Sequence, residues 1–169
     1  MGIKIGDKLP GFTFTVVTES DPVKQSVDEI FMGKNVVVVG IPGAFTPVCT
    51  GTHIPGYINN MESLNNKGID EIVVLSVNDV FVMKAWAESM NALGKITFIA
   101  DHDAEFVKKI GLYVDLSDLE LGIRSSRWSM LVKDSVVKVL NVESVLTKDG
   151  LTGASCMIKD VIGELRELK

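Results

Sequence analysis

The run Val36-Val37-Val38-Val39-Gly40-Ile41, followed at once by Pro42-Gly43-Ala44-Phe45-Thr46-Pro47-Val48-Cys49, decides the fold. A continuous β-branched run offers solvent no polar side chain on either face. It therefore reads as a strand covered on both sides, the kind found in parallel, helix-covered sheets. The Pro-Gly stretch after it is a turn. Pro47 suits the first turn of a helix, where its missing N–H removes no hydrogen bond. That helix is expected to run to about Lys67-Gly68, with Ile54, Ile58, Met61 and Leu64 on one face and the glycine as its stop.

Reading outward, Ile72-Val73-Val74-Leu75-Ser76-Val77 is a second buried strand, and Asn78 or Asp79 caps a helix whose apolar face carries Val82, Ala85, Trp86 and Met90. Lys95 to Ala100 is a third strand. A short helix over 104–110 leads into a loop from Gly111 to Ser126. Ser129 to Val132 and Val136 to Leu140 flank Lys133-Asp134-Ser135 as an antiparallel hairpin. Ser155 to Leu168 closes the chain as a helix with Ile158, Val161, Ile162 and Leu165 on one side. With an N-terminal strand region before this series, the order is that of an α/β thioredoxin-like fold: a mixed central sheet with helices on both faces.

The 169 residues make one domain, 1–169, by the usual size of about 150 residues per unit. At 46% hydrophobic residues the chain is far from a disordered composition, and it is long enough to fold without disulfides or metal. Seventeen basic and 22 acidic residues leave a net charge of −5 with no basic run, which argues against nucleic-acid binding. The longest apolar stretch, Val36 to Phe45, is far below the roughly 20 residues of a membrane span, so no membrane association is expected. Neither end carries a recognisable signal. The expectation is a cytoplasmic protein, with a mitochondrion or peroxisome requiring a targeting segment beyond these residues.

The two cysteines, Cys49 and Cys156, lie far apart and form neither a CxxC pair nor a zinc-ligand pattern. A free cysteine is most often a small buried hydrophobe. Cys49, however, falls in the first turn of a helix, where unpaired N–H groups and the helix dipole favour the reactive thiolate. Thr46 stands where the first cysteine of a CxxC motif would be, which excludes dithiol exchange and leaves a hydroxyl for an oxygen-containing substrate; an ordinary N-cap is the compatible alternative. His53, four residues on, shares the helix face of Cys49, either as a structural histidine or as a supporting catalytic one.

The stretch Pro42 to Cys49 with His53 and Pro55-Gly56 resembles the active-site motif of peroxiredoxins of the atypical type II subfamily, AhpC/TSA-like redoxins of the thioredoxin superfamily. Further matches follow in family order: Ser76-Val77-Asn78-Asp79, Val82, Trp86, Arg124 to Ser129, and Lys138 to Glu143.

This resemblance implies a thiol-dependent peroxidase that reduces hydrogen peroxide and alkyl hydroperoxides through a Cys49 sulfenic acid. Thr46 and Arg127 would bind sulfur and peroxide, and Pro42 would shield the site from water. Trp128 is expected to pack under the site and Phe45 to line its entrance. Plant-like members carry a second cysteine in the strand that here reads Val73, Val74, Leu75; animal-like members have a resolving cysteine near the start of the last helix, close to Cys156. Either Cys156 resolves the sulfenic acid, with thioredoxin as reductant, or an external thiol, glutathione or glutaredoxin, does so. The resemblance also implies a homodimer and no metal or organic cofactor. A peroxide sensor that relays oxidation to partner proteins is the alternative function.

Overall fold

The computed structural model describes residues 2–144 and 151–167, with side chains to Glu164. Leu165, expected on the apolar side of the last helix, and Leu168, its expected end, fall outside the described side chains and residues respectively.

The valine run forms β3 (Asn35–Ile41), an interior strand of a seven-stranded sheet. Ahead of it stand β1 (Thr13–Val16), β2 (Val23–Ser26) and the short helix α1 (Val27–Phe31). After it come α2 (Ile54–Asn59), α3 (Met61–Asn66), β4 (Glu71–Ser76), α4 (Val80–Ser89), β5 (Thr97–Ala100) and α5 (Glu105–Ile110). The chain closes with β6 (Tyr113–Asp115), β7 (Ile123–Ser125), β8 (Trp128–Lys133), β9 (Val136–Val142) and α6 (Ala154–Glu167). The strand order is β2-β1-β5-β4-β3-β8-β9. β3, β4 and β5 run parallel, and the flanking pairs are antiparallel, so the sheet is mixed as the sequence implies.

Two separate apolar clusters cover the two faces, which is why β3 needs no polar residue. Val37, Val39 and Ile41 face one cluster with Tyr57, Leu64, Met83, Trp86, Met157 and Val161 from α2, α3, α4 and α6. Val36 and Val38 face the other with Val27, Ile30 and Phe31 of α1 and Phe106, Val107 and Ile110 of α5. Each such side chain contributes about 1.5–3 kcal/mol on burial.

Three expectations are corrected. The helix after Pro47 is not one continuous α-helix; it opens through a wide five-residue turn, Cys49–His53, in which Ile54 N–H reaches the Cys49 carbonyl, before α2 and α3. The stretch 111–126 is not a plain loop, because β6 and β7 pair antiparallel within it. Trp128 does not pack under Cys49. Cys49 belongs to the first cluster and Trp128 to the second, on the opposite face of the sheet. There its indole lies against Gly40, its register partner in β3, so closely that an added Cβ on Gly40 would stand 2.1 Å from Trp128 Cε2.

Candidate active site

The end of β3 delivers Pro42 and Gly43 to the sheet edge, both buried, and the chain turns through Phe45, whose φ of +62° is unusual for a bulky residue. Phe45 is 55% exposed at this turn. The turn is held from the neighbouring strand: Ala44 N–H donates to Asn78 Oδ1 (2.9 Å), and Ser76 Oγ donates to the same oxygen (2.6 Å). Ser76 ends β4, directly beside Ile41 of β3 in the parallel register, and Asn78 follows two residues on.

Thr46 then begins the helix, its carbonyl accepting from Thr50 N–H. Its hydroxyl donates to the Gly43 carbonyl at 2.7 Å. The proton of Thr46 is thus committed to the turn, and its oxygen is left to accept. Cys49 follows in the first helical turn, where backbone N–H groups have no intrahelical carbonyl. Its side chain is fully buried.

Arg127 arrives from the start of β8, 78 residues away, and is only 2% exposed. Its Nη1 donates to Cys49 Sγ at 3.1 Å and also meets His53 Nδ1 at 3.1 Å. A guanidinium has donors only, so His53 Nδ1 accepts and the ring proton sits on Nε2. Nε2 faces Thr152 O and Oγ1, each at 3.2 Å, and Tyr57 Oη donates to the same carbonyl at 2.6 Å. The wide turn over Cys49–His53 contributes directly: opening the coil brings residue i+4 closer to lying over residue i, and both side chains converge on one guanidinium nitrogen.

The structure thus brings Cys49, Thr46, His53, Arg127 and the Pro42 turn to one place. Cys156 is separate: it is half-buried and unpaired in the first turn of α6. Ala154 and Met157 of that helix bury in the cluster that holds Cys49, whereas Cys156 is rotated by about 100° from Met157. Arg124 donates to the carbonyls of Val77 (2.7 Å) and Leu121 (2.8 Å), tying the β6–β7 pair to the strand end behind the active-site turn. Trp86 shares the cluster of Cys49, its indole N–H donating to Thr50 Oγ1 at 3.0 Å. Among the described residues no group of three His, Cys, Asp or Glu side chains is placed to hold a metal ion. No helix among them is long and apolar enough to cross a membrane.

Sequence reasoning missed Asn78, Thr152 and Glu143 as parts of this site. Asn78 and Glu143 lie in segments that match the resembled family, but nothing in their spacing shows what they touch.

A family model described as Redoxin matches residues 4–154. Peroxiredoxin-2C of Arabidopsis thaliana is 46% identical over 143 residues, covering 84% of this chain and 88% of that protein. The mitochondrial peroxiredoxin-2F of Oryza sativa subsp. japonica is 42% identical over 133 residues, covering 79% and 67%. Among solved structures, reduced Prx3 from Vibrio vulnificus in complex with hydrogen peroxide superimposes with a TM-score of 0.88 at 40% identity, covering 95% of this chain and 96% of that one.

Proposed function

The chain belongs to the redoxin family and within it to the peroxiredoxins, which are thiol peroxidases, and on that premise we propose that Cys49 is the peroxidatic nucleophile and that hydrogen peroxide and alkyl hydroperoxides are its substrates. The observation that carries this reading is the 3.1 Å contact between Arg127 Nη1 and Cys49 Sγ inside a buried site. A buried guanidinium favours an anion beside it, and the thiolate is the form of sulfur that attacks.

The step balances simply. The Cys49 thiolate attacks one peroxide oxygen, an S–O bond forms and the O–O bond breaks. The electron pair leaves on the second oxygen, which takes a proton to become water or an alcohol. Sulfur is oxidised to the sulfenic state. Thr46, its proton committed to Gly43 O, accepts from the peroxide O–H, and Arg127 donates to the oxygens on which charge develops. Pro42, buried beside them, keeps water from the site. Binding of hydrogen peroxide by the Vibrio relative supports the substrate assignment.

An external thiol, glutathione or glutaredoxin, then condenses with the sulfenic acid, releasing water and leaving a mixed disulfide that a second thiol reduces. The position of Cys156, turned away from the Ala154 and Met157 side of α6, favours this route over an internal disulfide recycled by thioredoxin. The chemistry requires no metal or organic cofactor. Phe45 stays exposed on the turn that bears the site, and it supports a homodimer through that surface.

The test follows fluorescence by stopped flow as reduced wild type, Cys49→Ser and Cys156→Ser meet stoichiometric hydrogen peroxide, and then counts remaining thiols. Fast oxidation lost only in Cys49→Ser, with one thiol consumed and restored by glutathione, is the expected result. Loss of both thiols in a monomer on a non-reducing gel would replace the external thiol by Cys156. A Cys49 no faster than a free thiol would end the peroxidase assignment.

A further inference from the structure

Glu143 lies just past β9 and is joined to two parts of the molecule at once. Its N–H donates to the Arg127 carbonyl at 2.9 Å, anchoring the backbone that carries the guanidinium. Its Oε1 accepts the N–H groups of Leu151 (2.6 Å) and Thr152 (2.9 Å), with the Thr152 hydroxyl at 3.3 Å. The carboxylate therefore pins the segment that enters α6 against the strand end next to the active site.

What that segment presents to the interior is Thr152, fully buried. Its carbonyl and hydroxyl stand 3.2 Å from His53 Nε2. His53 turns its other nitrogen to Arg127 Nη1, which reaches Cys49 Sγ. The chain of contacts has a direction. Arg127 requires an acceptor at Nδ1, so the ring proton must be on Nε2, and a buried Nε2–H needs an acceptor in turn. Thr152 O is that acceptor. A ring that lost it would be equally served by the other tautomer or a rotated pose, and its lone pair would no longer fix Arg127.

We propose that Glu143 is a positioning residue of this site: through Thr152 it sets the tautomer and orientation of His53, and through His53 it holds the Arg127 guanidinium against Cys49. It touches neither sulfur nor substrate. The proposal rests on the reading of Cys49 and Arg127 as the peroxidase centre and adds to it a dependence on the segment entering α6.

Two readouts separate this role from simple loop closure. The first is the ratio of the Cys49 reaction rate with hydrogen peroxide to that with iodoacetamide, an electrophile with no O–O bond for Arg127 and Thr46 to bind. The second is the ¹⁵N signature of the His53 ring, readily assigned because the chain has two histidines. Glu143→Ala is expected to lower the rate ratio by about fivefold or more, the scale of one lost hydrogen bond in an aligned site, and to abolish the Nε2–H tautomer signal. Glu143→Gln, whose amide oxygen still accepts, should restore both. If Glu143→Ala does not fold, Glu143→Asp is read in the same way, since it keeps the charge but shortens the reach by one methylene. A variant with a lowered Tm but an unchanged rate ratio and an unchanged His53 signal would reduce Glu143 to a loop clasp and overturn the proposal. A wild-type Cys49 that reacts with peroxide no faster than free cysteine would instead remove the peroxidase centre itself, and the positioning role with it.

Discussion

Arg127 Nη1 stands 3.1 Å from Cys49 Sγ, and the same nitrogen stands 3.1 Å from His53 Nδ1. Sulfur and imidazole therefore share one donor, and the position of that donor is set from both sides. Arg127→Met is expected to slow Cys49 oxidation at least about tenfold, equivalent to roughly 1.4 kcal/mol of a lost charge-assisted contact. Arg127→Lys keeps the charge but not the planar fork, and it should recover only part of the rate. Stopped-flow oxidation by hydrogen peroxide measures both; a wild-type rate in Arg127→Met would remove the residue from the chemistry.

The Thr46 hydroxyl donates to Gly43 O, so its contribution to a bound peroxide is that of an acceptor. Thr46→Ser preserves that geometry and should stay within about threefold of wild type, whereas Thr46→Val should lose about tenfold or more. Equal rates in the two variants would mean that the hydroxyl serves the turn alone.

Gly40 and Trp128 define how closely β3 and β8 approach on the face away from Cys49. A methyl group on Gly40 would overlap three atoms of the indole ring, all backed by packed core. Gly40→Ala should destabilise the fold by about 1–3 kcal/mol or more, read from urea unfolding. A Gly40→Ala variant of wild-type stability would show that the indole has room to move.

Asp101 is buried, and burial raises its pKa above the usual aspartate value despite hydrogen bonds from Val107 and Phe106 N–H that oppose the shift. The folded state thus holds this proton more tightly than the unfolded chain. Its stabilising contribution is complete below the ordinary aspartate pKa and declines as pH rises through the raised folded value. Asp101→Asn does not titrate, so the stability advantage of wild type over Asp101→Asn should be larger near pH 3.5 than at pH 7. Urea melts at the two pH values give the difference; a gap that widens toward neutral pH would reverse the sign of the shift.

Trp86 belongs to the cluster of Cys49 and bonds Thr50, whereas Trp128 lies across the sheet. The fluorescence change on oxidation should therefore be carried mainly by Trp86. Trp86→Phe should remove most of it and Trp128→Phe little, and the opposite pattern would mean that oxidation is felt through the strand bearing Arg127.

Local rules account for much that the sequence made legible. The valine run marks β3, Asp79 caps α4 by accepting from Phe81 and Val82 N–H, and Asp134-Ser135, within the expected Lys133-Asp134-Ser135 turn, separates β8 from β9. Cys49, Thr46 and Pro42 were visible because they are contiguous, and His53 because it is one helical step on. What stayed hidden depends on tertiary contact. The wide turn at Cys49–His53 is the exception: Pro55 has no N–H for the Gly51 carbonyl and Thr50, Gly51 and Thr52 are weak helix formers, a local signal that the continuous-helix reading passed over. The β6–β7 pair is too short to show a periodicity. The side of the sheet to which Trp128 belongs is fixed by the one-residue alternation of β8 against β3, a register that no single strand reveals. Thr152 and Glu143 act from the far end of the chain, and their roles appear only when α6 is docked.

Cys49 is fully enclosed, and that enclosure sorts its visitors by size. A peroxide of two or a few heavy atoms needs far less room to reach the sulfur than a protein thiol does, so the same packing that tolerates the one holds back the other.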